Sequence, residues 1–332
     1  MTSSTSWPAP ARLSVGVIAG GRVGSAIGHA LESAGHIVGG VVASSARSQS
    51  LVARRLPDSR IADPATVASV AELLVIAVPD DSLAAVIADL ASVIRPGTIV
   101  AHTAGAHGIG ILDPLTACGV TPLAIHPAMT FTGSDEDLSR LRTAIFGITA
   151  GDDIGYAIAQ ALVLEIGGEP VRIREEARTL YHAALAHGAN HLVALVSDAV
   201  SALRIALAGQ ELPGQEPFTD APGGLPERIL GPLLTAALDN TLRSGPAALT
   251  GPVARGDAAA VAAHLEALDE ADPDLADAYR AMSRRAAAYV DAPEALLDVL
   301  GQAGGRSVLG QAGGRSVLGQ AGGRSEFGQD HS

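Results

Sequence analysis

Lysine is absent from this chain of 332 residues, so all 22 of its basic residues are arginine. Any mechanism that needs a lysine ammonium group is therefore excluded. Cysteine occurs once, at Cys118, which rules out an internal disulfide and fits a reducing compartment. Positive charge is also scarce, since the formal net charge is -13. This balance argues against a nucleic-acid or anionic-membrane partner, because either would need a basic face.

Targeting and membrane segments are not apparent either. Residues 1–10 are polar and lack the cationic and apolar segments of a signal peptide. No stretch approaches the roughly 20 consecutive apolar residues that a membrane span requires. We therefore expect a soluble, cytoplasmic protein. With 48% hydrophobic and 17% charged residues, the chain has enough apolar content for two medium-sized cores, and we expect two domains.

A glycine-rich turn follows the first apolar segment. Residues 13–18 read as a strand, and residues 23–34 show the pattern of a helix. Free amides at the start of such a helix, together with its positive dipole end, form a site for the diphosphate of a dinucleotide. In the dinucleotide-binding motif G-x-G-x-x-G, Gly21 and Gly24 occupy the second and third glycine positions, and Ala19 occupies the first. An ordinary strand-to-helix turn is the alternative interpretation. The residues predicted to contact the cofactor here are Ala19, Gly20, Gly21, Arg22, Val23 and Gly24.

The end of the second predicted strand, residues 37–43, indicates which cofactor binds. A site for NAD usually has Asp or Glu there, whereas this chain has Ser44, Ser45 and Arg47, and its next acid is Asp58. Hydroxyl and guanidinium groups suit a 2'-phosphate, so the sequence predicts NADP. Alternatively, Arg47 is a solvated cation in a loop.

Further strands are predicted at residues 73–78, 98–102, 121–126 and 144–149, and helical periodicity dominates from residue 175. Because carboxyl ends of parallel strands border the ligand, we also place Val78, Pro79, Asp80 and Thr103 beside the cofactor. The predicted organisation is a disordered N-terminus (1–11), an NADP-binding domain (12–174), a helical substrate and dimerisation domain (175–300) and a disordered tail (301–332). The tail contains three copies of a nine-residue repeat with three glycines each, which cannot bury a core.

Seven stretches of the chain resemble a family of Rossmann-like oxidoreductases that is common in actinobacteria and carries a C-terminal domain of unknown function. The resemblance implies an α/β fold in which a Rossmann domain, with a doubly wound and mostly parallel sheet, precedes an all-helical domain. That second domain would be similar to those of 6-phosphogluconate dehydrogenase, ketopantoate reductase and pyrroline-carboxylate reductase. The resemblance does not imply a particular substrate. The matching stretches are residues 21–24, 77–81, 102–108, 125–133, 181–192, 231–240 and 249–257.

The chain departs from related hydroxyacid dehydrogenases at one position. Those enzymes carry a proton-donating lysine on the long helix of the second domain, with an asparagine three or four residues later. The matching helix here has Asn190, but Ala186 and His187 stand four and three residues before it. Histidine is the natural substitute, because its ordinary pKa near ~6.5 allows proton transfer at neutral pH.

Six of the ten histidines fall between residues 102 and 191. We select His126, at the end of a strand, and His187, with Asn190 on the same helical face, as the catalytic residues. Each histidine could instead be a hydrogen-bonded structural residue. His187 and His191 are spaced as metal ligands, but the glutamate of H-E-x-x-H is missing, so no metal is expected.

Together these features predict an NADP-dependent oxidoreductase that acts on a small carbonyl, imine or hydroxy acid, with histidine replacing lysine. The alternative is an NADP-binding sensor without catalysis, which the missing lysine would allow. The alanine-rich helices would expose sizeable apolar patches if the chain were alone, so a homodimer is expected.

Overall fold

The computed structural model describes residues 12–208 and 223–301. The predicted disordered segments, 1–11 and most of 301–332, lie outside these described residues. Contacts divide the chain into two compact units, the first ending at Val193 and the second beginning at Ala194. This division falls inside one long helix rather than at residue 174, and the predicted domain boundaries remain a prediction.

The first unit is built on one sheet that has eight strands among the described residues. Its order is β3-β2-β1-β4-β5-β6-β7-β8, and every neighbouring pair is parallel except β6 with β7. The strands are β1 Ser14–Ile18, β2 Ile37–Val41, β3 Arg60–Ile61, β4 Leu73–Ile76, β5 Ile99–His102, β6 Thr121–Pro127, β7 Ile145–Ala150 and β8 Glu169–Arg172. The first six strands follow the doubly wound order: the chain adds strands outward on one side of β1 as far as β3, and then returns to add β4, β5 and β6 on the other side. The predicted α/β Rossmann fold is confirmed.

Helices cover both faces of this sheet, which explains why its central strands are apolar throughout. All four residues of β4 are buried. One buried cluster joins the sheet to α1, α6 and α7, and a second cluster on the other face joins it to α3, α4 and α5. The helices are α1 Arg22–Ser33, α2 Ala46–Arg55, α3 Pro64–Val70, α4 Asp80–Leu90, α5 Asp113–Thr116, α6 Glu136–Leu141 and α7 Asp153–Glu165.

Several of these elements are not among the predicted ones. Helix α2 is largely polar, and β3 has only two residues, so neither carries a strong hydrophobic period. Strand β8 pairs with β7 at the edge of the sheet. Its mostly exposed residues explain why it lacks the apolar run of a buried strand.

The second unit contains helices only, within the described residues. Helix α8 (Arg178–Leu207) crosses from the first unit, and it is followed by α9 Leu225–Ser244, α10 Ala258–Ala271, α11 Pro273–Ala287 and α12 Glu294–Gly301. The last three helices share a small core of Val261, Leu265, Ala287, Leu296 and Leu300. Arg204 of α8 and Glu227 of α9 form an ion pair at 3.0 Å.

One segment, Glu175–Leu207, is long and apolar enough to cross a membrane by length and composition, with a mean hydropathy of 1.3. This differs from the expectation that no stretch approaches such a length. Only 6% of its most apolar window is buried in the structure. A helix that packs its apolar face against another protein has the same properties, so length and composition do not separate the two cases.

A buried arginine fastens α1 and α2 to the loop before α6. The Arg55 guanidinium donates to the Arg22 carbonyl (3.3 Å), to Ser25 Oγ (3.1 Å) and to the Ser134 carbonyl (2.6 Å). It also meets Asp137 Oδ2 at 3.5 Å, and both side chains are at most 1% exposed. Because each charge is removed from water, each depends on the other for compensation.

We predict that Asp137→Ala lowers the free energy of unfolding by about 3–5 kcal/mol, because it leaves the Arg55 charge buried without its partner. Asp135→Ala is the matched control, since Asp135 pairs with Arg54 at the surface and its side chain is 75% exposed. That pair should contribute less than about 1 kcal/mol. Urea unfolding followed by circular dichroism measures both. Equal effects of the two substitutions would contradict the assignment of a buried clamp.

Candidate functional site

The glycine-rich turn lies between β1 and α1, as predicted. Ala19 adopts a φ of 74°, the left-handed conformation that favours glycine, and it occupies the first position of the expected glycine pattern. The amide of Gly20 donates to the Val42 carbonyl at 2.7 Å, which ties the turn to the end of β2. Gly21 caps α1 without a side-chain hydrogen bond. The first amides of α1 therefore have no side-chain cap and are available to a ligand.

The glycines of this turn have different roles. A Cβ at Gly24 would overlap the carbonyl oxygen of Ala19, and a Cβ at Gly20 would lie 2.5 Å from Val52 Cγ2. These two glycines allow close packing of α1 and α2 on the sheet. A Cβ at Gly21, by contrast, would meet nothing within 4 Å. Gly21 thus presents bare backbone to open space, as a phosphate-binding turn requires.

A cleft of about 350 Å³ opens at this turn, at the point where the strand order switches from β1 to β4. Open α/β sheets bind their ligands at this place. Six of the predicted cofactor-binding residues line the cleft, and so does Ser48 of α2. The lining residues are Ile18, Ala19, Gly20, Gly21, Val42, Ser44, Ser45, Ser48, Pro64, Val78, Val86 and Asp89.

The remaining predicted cofactor residues surround the cleft or lie behind it. Val23 and Gly24 belong to the first turn of α1, while Pro79 caps α4 and Asp80 begins it. Thr103 follows β5 and donates its amide to the Ile76 carbonyl at 3.1 Å. All of these residues follow the carboxyl ends of parallel strands, and those ends lie at the same edge of the sheet.

Two predicted phosphate ligands have other contacts in the structure. Arg22 donates from Nη1 to the Phe131 carbonyl at 3.2 Å. Ser45 caps α2, because its Oγ accepts from the Ser48 amide at 3.1 Å. Arg47 is exposed in the first turn of α2, and its Nη2 lies 3.9 Å from the position of a Cβ on Gly133. Arg47 therefore remains an accessible cation beside the cleft.

A second group of polar side chains gathers where β6 meets the start of α8. His126 of β6 and Tyr181 of α8 are joined by a hydrogen bond of 3.1 Å between His126 Nδ1 and Tyr181 Oη. The His182 ring lies edge-on to that of His126, with a centroid distance of 5.8 Å. All three side chains are partly buried, and they form one wall of side chains that is in part exposed to solvent. Gly105 lies against it, because a Cβ there would be 2.5 Å from His182 Cδ2.

Buried groups lie beneath this wall. Arg178 is 1% exposed and donates to Thr149 Oγ1 (2.7 Å) and to the carbonyls of Ala124 (2.9 Å) and Gly147 (3.0 Å). Its Nη1 is buried without a hydrogen-bond partner. His102 is fully buried, and its Nε2 lies 2.8 Å from the Gly108 carbonyl. His102 is thus a structural histidine that holds the loop after β5.

The surroundings keep the imidazoles of His126 and His102 neutral. Burial, with contributions from His182, Arg178 and His102, lowers the pKa of His126 from 6.5 to about 4. Burial also lowers the pKa of His102 to about 4. Burial raises the pKa of Tyr181 above 10.0, against the opposing effects of the Arg178 charge and the Gly147 backbone. At neutral pH the imidazoles of His126 and His102 and the phenol of Tyr181 are therefore uncharged, and Arg178 is a guanidinium cation.

The structure does not bring His187 and Asn190 to His126. Both are exposed on α8, and His187 Nδ1 lies 2.7 Å from His191 Nδ1. His187 follows His182 by five residues, which at about 100° per residue turns it about 140° away. Among the described residues, no group of three or more His, Cys, Asp or Glu side chains could hold a metal ion.

Sequence reasoning missed Tyr181, His182 and Arg178 as site residues, and it missed Glu175. The oxygens of Glu175 accept the amides of Ile109 (2.8 Å) and Gly110 (3.0 Å), which fixes the loop after β5 to the start of α8. Tyr181 and His182 open one of the stretches that carried the family resemblance. The lysine and asparagine pair of related hydroxyacid dehydrogenases instead favours His187 and Asn190, which lie one to two turns later on α8.

Two family descriptions match consecutive parts of the chain. Residues 2–127 match a Rossmann-like domain, and residues 144–286 match a domain of unknown function, DUF2520. The chain therefore combines a Rossmann-like domain with a DUF2520 domain, and the resemblance noted in the sequence is confirmed. No curated protein matches the sequence significantly.

Solved structures share the fold at low sequence identity. A Bacteroides fragilis protein provisionally named an NADP oxidoreductase is 19% identical, with a TM-score of 0.69 over 83% of this chain and 98% of its own. Pyrroline carboxylate reductase from Plasmodium falciparum, solved with NADP bound, is 13% identical, with a TM-score of 0.51 over 83% and 98%. A reductive aminase from Aspergillus terreus, in complex with NADPH and ethyl-5-oxohexanoate, is 15% identical, with a TM-score of 0.58 over 83% and 94%.

We predict that Gly24→Ala lowers the free energy of unfolding by about 3 kcal/mol, the upper end of the cost of overpacking, because the new Cβ would overlap the Ala19 carbonyl. Gly21→Ala is the matched control. Its Cβ enters open space, so only a poorer helix cap is expected, at about 1 kcal/mol or less. Chemical unfolding compares the two. A Gly24→Ala protein as stable as Gly21→Ala would show that α1 does not approach β1 so closely.

Proposed function

We propose that this protein is an NADP-dependent oxidoreductase of a small carbonyl, imine or hydroxy acid. The observation that carries the proposal is the glycine turn at the switch point of the sheet, where Gly21 leaves bare backbone facing a cleft of about 350 Å³. This turn fits the diphosphate of a dinucleotide, which α1 would bind through its amides and its dipole. Structural neighbours that were solved with NADP or NADPH support the choice of cofactor.

The preference for NADP over NAD rests on the end of β2. Ser44 and Ser48 line the cleft, and Arg47 is exposed beside it. Asp89 is the one acidic side chain among the described residues that line the cleft, and it belongs to α4 rather than to the end of β2. Hydroxyl groups and a guanidinium would bind a 2'-phosphate through charge-assisted hydrogen bonds.

The substrate end of the site would lie at the carboxyl end of β6. Strands β1, β4, β5 and β6 are consecutive and parallel, so His126 lies at the same edge of the sheet as the glycine turn. Three strand spacings of about 4.8 Å separate them, so they are about 14 Å apart across the sheet. A dinucleotide whose diphosphate rests on α1 would extend its nicotinamide toward His126 and supply hydride there. His126 is the residue of this group predicted from sequence, and His187 and Asn190 remain predictions.

We further propose that the protein is a cytoplasmic homodimer, whose second copy covers the apolar faces of α8 and α9. Leu238 and Leu242 of α9 are 51% and 79% exposed, and Leu195 and Ile205 of α8 are 44% and 50% exposed. Large apolar side chains that are exposed on successive turns of a helix, as Leu238 and Leu242 are, are typical of an interface. If a second copy buries the Glu175–Leu207 segment, its apolar and exposed character is explained and no membrane needs to be invoked.

We predict that Arg47→Ala weakens NADPH binding about tenfold or more, because one charge-assisted contact to the 2'-phosphate contributes roughly 1.5–3 kcal/mol. Binding of NADH, which lacks that phosphate, should change less than about twofold. Titration followed by nicotinamide fluorescence measures both affinities. Arg140→Ala is the control, since Arg140 forms a surface pair with Glu136. An unchanged ratio of the two affinities would exclude Arg47 from the site. If the unsubstituted protein binds neither NADPH nor NADH, the proposed function is wrong.

Catalysis itself is tested by incubating the protein and NADPH with 2-oxo acids, 2-oxo lactones and cyclic imines, and following the loss of nicotinamide absorbance. Turnover of any of these substrates supports the enzyme. Tight NADPH binding without turnover across the whole panel would favour the NADP-binding sensor instead.

We predict that sedimentation equilibrium gives twice the chain mass of 33.3 kDa. The double substitution Leu238→Asp and Leu242→Asp places two charges on one face of α9 and should shift the protein to monomer, because burying them unpaired is costly. Ile154→Asp, at a residue of α7 that is 74% exposed, is the control and should remain dimeric. A monomeric unsubstituted protein, or a double variant that stays dimeric, would contradict this interface.

A further inference from the structure

The polar group at β6 and α8 contains one hydroxyl with several stabilising neighbours. Tyr181 Oη and His126 Nδ1 are 3.1 Å apart and share a hydrogen bond, whose donor depends on the tautomer of His126. The other side of Tyr181 Oη faces the backbone of Gly147, where an added Cβ would lie 2.7 Å from Oη. The guanidinium carbon of Arg178 lies 5.8 Å from the centre of the Tyr181 ring. Each of these neighbours can stabilise a negative charge on the phenol oxygen.

One buried cation, Arg178, acts on this hydroxyl and has no carboxylate among its hydrogen-bond acceptors within the described residues. Arg178 is a buried cation whose hydrogen bonds go to a hydroxyl and to carbonyls, and its Nη1 has no partner. The carboxylate that acts electrostatically on Arg178 is that of Glu175, which is itself engaged by the Ile109 and Gly110 amides. Two further titratable groups act on His126, the imidazoles of His102 on β5 and His182 on α8. Arg178 is therefore the charged side chain that acts on the Tyr181 phenol.

We propose that Tyr181 Oη delivers the proton to the substrate oxygen, and that this site takes a neutral or anionic carbonyl compound in preference to a cationic iminium. This inference rests on the proposed function, because it needs a reduced nicotinamide as the hydride donor. It also assigns a catalytic role to a residue outside the predicted set of His126, His187 and Asn190.

The proposed reaction balances. The carbonyl carbon would accept a hydride from the reduced nicotinamide: a C–H bond of the dihydronicotinamide ring breaks, the ring is oxidised, and a new C–H bond forms on the carbonyl carbon. The electron pair of the C=O π bond moves to the oxygen, which takes the proton from Tyr181 Oη and becomes an alcohol. Tyr181 is left as a phenolate, which His126 Nδ1 and Arg178 stabilise until it regains a proton from solvent.

The protonation states favour Tyr181 over His126 as the donor. The pKa of His126 is lowered to about 4, so its imidazolium form is scarce at neutral pH. The pKa of Tyr181 is raised, so its phenol keeps its proton across the physiological range. His126 is then a positioning residue, whose ring orients the hydroxyl.

The same charges select the substrate. Negative charge develops on a carbonyl oxygen during hydride addition, and a nearby buried cation stabilises it. An iminium enters the site with a positive charge, which Arg178 would repel at short range in a poorly solvated setting. We therefore expect ketones and 2-oxo acids to be reduced faster than cyclic imines that are protonated under the assay conditions.

The experiment compares Tyr181→Phe with Tyr156→Phe in the full-length protein. Tyr156 belongs to α7, where Arg172 stacks on its ring, and it serves as a matched loss of one phenol. Three quantities are measured: the dissociation constant for NADPH, kcat and KM over a panel of 2-oxo acids, ketones and cyclic imines, and the phenol titration by ultraviolet difference absorbance.

We predict that Tyr181→Phe lowers kcat about 10²-fold or more, while KM and the NADPH dissociation constant change less than about threefold. Tyr156→Phe should change none of these quantities. The kcat of the unsubstituted protein should stay level from about pH 5 to about pH 9, since His126 is neutral and Tyr181 protonated in this range. The difference titration of Tyr181→Phe against the unsubstituted protein should reveal a phenol that ionises above pH 10, independently of turnover.

Several results would overturn this inference while leaving the cofactor assignment intact. One is a Tyr181→Phe protein that binds NADPH and has a kcat within threefold of the unsubstituted protein. Another is a kcat of the unsubstituted protein that falls with an apparent pKa between 5 and 8. A third is faster reduction of cyclic imines than of carbonyl compounds. A phenol that ionises below pH 10 would also contradict it. Absence of NADPH binding in the unsubstituted protein would instead count against the proposed function.

Discussion

The close approach of α1 to β1 is the constraint on which the rest of the cofactor cleft depends. No side chain fits between Gly24 and the Ala19 carbonyl, so the helix begins directly above the strand end. Its first amides then face the switch point of the sheet. The turn tolerates alanine at position 19 in a left-handed conformation, which shows that the surrounding contacts outweigh the local strain.

The two buried arginines of the first unit illustrate different uses of the same side chain. Arg55 has a buried carboxylate partner, Asp137, and joins two helices to a loop. Arg178 has only neutral oxygen acceptors and one unpartnered nitrogen. A paired buried charge contributes to a specific packing arrangement, whereas an incompletely compensated one creates an electrostatic potential in its neighbourhood. Arg178 acts in this second way on the histidines and on Tyr181.

The fold was predictable where strong local patterns exist. The apolar strands β1 and β4 and the glycine turn are visible in the sequence, because burial on both faces requires mostly apolar residues. Helix α2 and strand β8 were not predicted, because α2 is polar apart from a few buried residues and β8 is an exposed edge strand. Their stability comes from pairing and packing with distant segments.

The candidate site shows the same division. The sequence alone determined the α/β class, the turn that ends β1, the absence of lysine chemistry and the position of His126 at a strand end. These properties depend on residue identity and on short-range order. Only the tertiary structure decided which helical face meets His126, because that depends on how α8 is rotated as it leaves the sheet. It places Tyr181 and His182 against His126, with Arg178 beneath them, since helix rotation is set by packing between distant residues and not by local sequence.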